Sequence, residues 1–414
     1  MISLGSTLAV LLCAAGPQAG PSAQPAQAPA TRAELLEQHR EEKARDLQPY
    51  EPGRLEKWAV KIENERMLEK LLEPRLAGGY YTRIKSVTTG GGLAVGPGYK
   101  MYDMFGGHAD LNVWTAMSLK KYWALEGAVT FKRIAGDTLF GKIWGRRRDF
   151  PQEDYFGLGP DSRRPDRVSF GYRETAFGGS GGINVTPWLA VGSQVEFLSP
   201  SVGRGRDPRF PSIETIFTDA TAPGLAIQPD YLRAELFADL NYAEPRGNPR
   251  NGGRYIVSWN KFNDRDIDGY SFRRLEFDLR QYLSVFHDRR VLVLRSVVSL
   301  SDPDSGHTIP FYMQKTLGGS NTLRGFREYR FRDENLLLLQ AEYRYEIFPA
   351  LDGAIFFDTG KVAHRRADLD LNGLEKDYGF GFRFGTIQGV FLRVDVAFGS
   401  RDGKRYFVKM SHEF

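Results

Sequence analysis

Residues 337–347 read Leu-Leu-Leu-Gln-Ala-Glu-Tyr-Arg-Tyr-Glu-Ile, and their alternation decides the fold. One set of alternate positions holds Leu337, Leu339, Ala341, Tyr343, Tyr345 and Ile347. The other holds Leu338, Gln340, Glu342, Arg344 and Glu346. A period of two is the signature of a strand with two chemically different faces. The same pattern recurs in 378–384, where Tyr378, Phe380, Phe382 and Phe384 alternate with Gly379, Gly381 and Arg383. It recurs again in 390–398, where Leu392, Val394, Val396 and Phe398 alternate with Arg393 and Asp395. The last run sets Tyr406, Val408, Met410, His412 and Phe414 against Arg405, Lys409 and Glu413.

A water-soluble sandwich also alternates, but two features favour a barrel in lipid. The apolar face is rich in Tyr and Phe, as aromatic girdles are, and the polar face mixes both charge signs with glycine, as a wet lumen does. Short connections (348–351, 386–389) alternate with long ones (302–333, 363–376), the asymmetry of outer-membrane barrels. About fifteen runs follow Gly78. A split of the first at Gly90-Gly91-Gly92 makes an even sixteen. The expected fold is therefore all-β, a transmembrane antiparallel barrel of sixteen strands over residues 78–414.

Composition narrows the alternatives. The 414 residues include 28 Phe, 19 Tyr and 6 Trp, far too many aromatics for a disordered chain. No apolar run reaches the roughly 20 residues of a spanning helix, and one cysteine forbids an internal disulfide framework. The net charge of +5 is a mild surplus for so long a chain, so no nucleic-acid partner is expected.

Upstream, Thr7 to Ala15 form a short apolar core, and an Ala- and Pro-rich stretch ends at Ala28-Pro29-Ala30. Residues 1–30 are thus expected to be a signal peptide, although the basic n-region is missing. Cys13 lacks the small preceding residue that lipidation wants. Residues 31–77 form a separate, highly charged segment. From Arg54 onward Leu55, Trp58, Ile62, Leu68, Leu71 and Leu72 fall near one helical face. Three readings stand for it: a solvated helix, a helix docking on the barrel through Trp58, Leu55 and Ile62, and a coiled-coil partner helix.

The segment Gly318-Gly319-Ser320-Asn321-Thr322-Leu323-Arg324-Gly325-Phe326 lies in a long loop, and Phe356-Phe357-Asp358-Thr359-Gly360 follows on a strand. With the aromatic terminal strand (Tyr406, Val408, Met410, Phe414), and with residues 149–162, these resemble the bacterial surface antigen superfamily of outer-membrane barrels, the BamA/TamA-like proteins. The resemblance implies a role in membrane protein or lipid assembly, or in polypeptide translocation, and no enzymatic activity or cofactor. It implies unfolded outer-membrane proteins or lipids as clients, in a membrane of lipid and lipopolysaccharide. It also implies a loop that folds into the lumen, where Arg324 meets Glu342 and Asp358 beside Phe356 and Gly360. Such a lock either stabilises the barrel or controls opening of its pore or lateral seam; an unrelated surface loop is the bland alternative. Residues 31–77 are too short and too helical for the family's periplasmic polypeptide-binding domains, so the sequence reads as a member lacking them. A gated or passive pore for small solutes is the competing function.

Other chemistry is thin. Asp368, Asp370 and Asn372 resemble the first half of a calcium loop, as do Asp264, Asp266 and Asp268, but both lack the twelfth-position Glu. Arg146-Arg147-Arg148 reads first as a solvated charge run, with a loop patch for anionic lipid or lipopolysaccharide as the alternative. No protease, esterase or phosphate-loop motif is present.

Overall fold

The computed structural model describes residues 77–285, 289–348, 350–386 and 389–409, together with Arg32, Leu36, Glu37, residues 39–41, Gly53, Arg54, Lys57, Lys61 and Pro74. The expected signal peptide, the expected docking residues Leu55, Trp58 and Ile62, and Met410 and Phe414 lie outside the described residues. The chain divides into two units, Met1–Pro52 and Gly53–Phe414. In the first, Arg32, Leu36, Glu37 and residues 39–41 are helical.

The second unit is built from strands. They are β1 (Tyr80–Ile84), β2 (Ala94–Asp103), β3 (Ala109–Ser118), β4 (Trp123–Ile134), β5 (Leu139–Tyr155) and β6 (Val168–Thr186). Next come β7 (Leu189–Arg204), β8 (Tyr231–Asn241), β9 (Gly252–Asp264), β10 (Phe272–Val285) and β11 (Arg290–Pro303). The short β12 (Lys315–Leu317) and β13 (Phe331–Asp333) precede β14 (Asn335–Phe348), β15 (Leu351–Ala363), β16 (Glu375–Thr386), β17 (Gly389–Phe398) and β18 (Arg405–Lys409). Sixteen of them form one antiparallel sheet in chain order, and β12 and β13 pair separately. The glycine triplet lies between β1 and β2, so the first run is indeed two strands. Among the described residues β1 pairs only with β2, and β18 only with β17.

Side-chain exposure follows the parity of the sequence. On β16, Tyr378, Phe380 and Phe382 are exposed, whereas Asp377 and Arg383 on either side of that run are buried. On β14, Tyr345 and Ile347 are exposed, while Gln340, Glu342 and Arg344 are buried. A wall with apolar groups outside and ions inside is the reverse of a soluble protein, and only a hydrocarbon solvent makes that arrangement favourable.

Two buried clusters form where connecting segments fold against the ends of the strands. Tyr155, Phe170, Ile213 and Phe311 form one buried cluster, and Tyr231, Phe262, Phe272 and Ile309 a second. Segment 149–162 starts within β5 and ends in this layer, where the Gly159 N–H donates to the Arg332 carbonyl at 2.9 Å. Arg330 donates to Ser162 Oγ at 2.8 Å and to its carbonyl at 2.7 Å, and Arg401 reaches the Pro160 carbonyl at 2.8 Å. These bonds link loops far apart in sequence into one layer over the lumen.

Candidate functional site

The loop between β12 and β13 turns at Gly318 (φ 112°) and Gly319 (φ 96°), a left-handed region open to glycine. The Gly319 N–H is shared between the carbonyls of Leu323 and Phe326, both at 3.1 Å, which closes a compact turn. Leu323 and Phe326 then pack with Leu317, Phe331, Leu336, Leu338 and Val362. Burying each of these side chains contributes about 1.5–3 kcal/mol. Arg324 stands between the two apolar anchors, so their burial carries its guanidinium into the lumen.

There Arg324 is completely buried. Its Nε and Nη2 donate to the two oxygens of Asp358 at 2.6 and 2.7 Å, and its Nη1 donates to Glu342 Oε2 at 2.7 Å. The Phe356 ring lies beneath the guanidinium, 3.5 Å from its carbon to the ring centroid. The fork is thus bidentate on β15, charge-assisted on β14 and stacked on an aromatic face, all geometries a lysine cannot reproduce.

The clamp continues across the wall. Glu342 also accepts from Arg344 Nε at 2.8 Å and from Arg383 Nη2 at 2.6 Å. Arg383 donates to Asp395 at 2.5 Å, and so does Arg393, whose Nη2 reaches the Ser320 carbonyl at 2.7 Å. Gln340 Nε2 bridges Asp358 at 3.0 Å and the Thr322 carbonyl at 2.8 Å. One loop is therefore bonded to β14, β15, β16 and β17 through ions held away from water. Such a network offsets its desolvation only while every partner is present.

Glycines make the room. A Cβ on Gly381 would lie 2.2 Å from Asp395 Oδ1 and 2.3 Å from the Val394 carbonyl, and one on Gly379 would lie 2.5 Å from the Phe356 ring. The role of Gly325 differs from the one its place in the motif suggests. Its φ is not left-handed; a Cβ there would lie 2.6 Å from Asp377 Cβ, so close approach to β16 is what demands glycine. Gly360 is likewise buried, with a Cβ there 2.6 Å from the Leu337 carbonyl.

Arg344, Arg383, Arg393 and Asp395 belong to the site although the motif does not include them. Their polar-face parity was the available signal. Asp377 is fully buried and lies directly across from Asp358 in the β15–β16 register. Tyr406 and Val408 stand apart from the clamp, each 72% exposed on β18.

Asp368, Asp370 and Asn372 engage cations of the chain itself: Lys361 donates to Asp370 Oδ1 and to the Asn372 carbonyl, both at 2.7 Å, and Asp368 is held by Arg365 at 2.9 Å. The second stretch turns inward on itself, with Asp264 accepting the N–H groups of Asp266, Ile267, Gly269 and Tyr270. Among the described residues no three acidic, His or Cys side chains form a metal-holding group. Nor is Arg146-Arg147-Arg148 a loop patch. It lies within β5, and Arg146 points into the lumen, 2.6 Å from Glu174 and from Glu196.

An antiparallel sheet with apolar groups outside and ions inside is the arrangement of a β-barrel that faces lipid, and here a loop arginine is locked on its polar face. Residues 247–405 match the model of the Omp85 superfamily domain. Members of that superfamily are outer-membrane proteins of Gram-negative bacteria. The fold is similar to that of BamA from Haemophilus ducreyi lacking POTRA domains 1–3, with a TM-score of 0.55 and 11% identity. That similarity covers 85% of this chain and 75% of the other. CdiB from Escherichia coli is similar at TM-score 0.51 and 10% identity over 80% of this chain. The chain spans 60% of that protein's length. No curated protein matches it by sequence.

Proposed function

We propose that this protein is a non-enzymatic outer-membrane barrel that assists the assembly of membrane proteins or lipids, or the passage of polypeptides, with Arg324 as the lock on its wall. The observation that carries the reading is the fully buried guanidinium of a loop residue, bonded to carboxylates of β14 and β15. Through Arg383 and Asp395 the same network reaches β16 and β17, the strands leading to β18. Releasing the loop removes a tie shared by four neighbouring strands and loosens the wall beside that edge. The clients are unfolded outer-membrane proteins or lipids. The Omp85 domain supports this class of role, and the exposed aromatic wall suits a surrounding of outer-membrane lipid and lipopolysaccharide.

The test is insertion of an unfolded barrel substrate into liposomes carrying the purified protein. The expected result is faster insertion than in protein-free vesicles, with a changed rate in Arg324→Ala. Equal rates with and without the protein would overturn the assembly reading. A large steady conductance in planar bilayers, indifferent to Asp358→Asn, would remove the lock and favour a pore for small solutes.

A further inference from the structure

At the short-turn end of the strands lies a cavity of about 100 Å³, several times the space one water needs. Six arginines line it: Arg246, Arg254, Arg280, Arg344, Arg383 and Arg393. No carboxylate does. The acids bonded to these arginines, Asp239, Asp278, Glu342 and Asp395, are not among the lining residues. The arginines come from β9, β10, β14, β16 and β17 and from the β8–β9 connection, so the sheet's curvature rather than any local motif gathers them.

That connection is unusual. Other turns at this end take only a few residues, whereas residues 242–251 fold inward and tie to β15 through Arg250, which donates to Asp352 at 2.9 Å. The connection supplies Arg246 and Asn248 to the cavity. Asn248 is only 7% exposed, and its Oδ1 has no hydrogen-bond partner among the described residues. Orphaned buried amides are rare in folded proteins. The two ends of an amide exchange by a simple flip, so this group can present N–H to an acceptor in the cavity.

We infer that this cavity is a binding site for a phosphate group. Guanidinium forks match the oxygens of phosphate two at a time, and a ring of them without an intervening acid attracts a compact dianion. The Asn248 amide completes the donor set, and an anion there adds a counter-charge where six guanidiniums share four bonded acids. Free phosphate and the phosphate of a lipid headgroup share this chemistry.

Titration calorimetry on the full chain in detergent tests the inference, with inorganic phosphate as probe and chloride at equal ionic strength as control. Saturable phosphate binding is expected. It should weaken at least tenfold in Arg246→Gln/Arg254→Gln, two positions outside the Arg324 clamp. Asn248→Asp, which places a negative charge in the cavity, should also weaken it, and serves if the double variant does not fold. Short-chain phosphatidylglycerol below its micelle concentration distinguishes the source, with phosphatidylcholine of the same chain length as its control. If phosphatidylglycerol displaces phosphate, the site takes a headgroup; if it does not, the site takes the free ion. Binding no stronger than that of chloride, or binding unchanged in both variants, overturns the site.

Discussion

Two arginine networks line the lumen, and they differ in what they join. In the N-terminal half, Arg146 of β5 contacts Glu174 of β6 and Glu196 of β7, both at 2.6 Å. Arg233 of β8 adds Glu235 at 2.6 Å and Asn260 of β9 at 2.9 Å. Every member stands on a strand. In the C-terminal half, the central cation comes from a loop and the strands supply the acids. The first network ties strands already held by backbone ladders. The second ties a separate segment to the wall, so its loss changes which parts of the molecule move together.

The largest effect that can break this contrast is Arg324→Met. It strands Asp358 in a dry lumen and takes one of three cations from Glu342, with an expected loss of about 3–5 kcal/mol. Urea unfolding of the detergent-solubilised protein measures it. Gly381→Ala should come next. Its methyl group meets a backbone carbonyl that cannot swing aside, and overpacking of this kind costs about 1–3 kcal/mol. Arg146→Met should cost only about 1–2 kcal/mol, because Glu174 keeps the Tyr172 hydroxyl, and Glu196 keeps Arg233 and the Trp144 N–H. Should Arg146→Met prove as damaging as Arg324→Met, the two networks are equivalent and the contrast falls.

A pH-dependent effect concerns Glu328, on the loop that carries Arg324. Burial pushes its carboxyl up to about 7, against an ordinary 4.5, although the Ser320 N–H donates to it at 3.1 Å. A carboxyl raised in the folded state binds more protons there than when unfolded. Its contribution is therefore fully favourable below about 4.5 and is lost as pH rises toward about 7. Glu328→Gln should flatten that part of the stability profile, seen by comparing urea midpoints at the two ends of the window. An unchanged slope would place the charge of Glu328 in water.

The wall was legible from the sequence because parity is a local property. Glu342, Asp358, Arg383 and Asp395 all fall on polar-face positions, and all are buried. Which of them meet was not legible, because partners depend on register. Glu342 lies opposite Phe356, and Phe356 opposite Gly379. Arg383 reaches across to Glu342 because glycines at 379 and 381 leave the wall bare. The loop cores were also hidden, since the paths of 205–230 and 304–314 are irregular and have no period to read. The partner of Asp370 was hidden for a similar reason. Lys361 is nine residues before Asp370, and only the folded loop brings its ammonium among the oxygens.

The stacking of Phe356 on Arg324 also bears on time. With no water in contact, the guanidinium cannot exchange its partners one by one for solvent. Its bonds to Asp358 and Glu342 must break nearly together, before hydration compensates. Departure of the loop is then a rare, all-or-none event whose waiting time is set by a barrier. Single-molecule fluorescence on this loop should accordingly report two discrete levels with long dwell times, and no continuum between them.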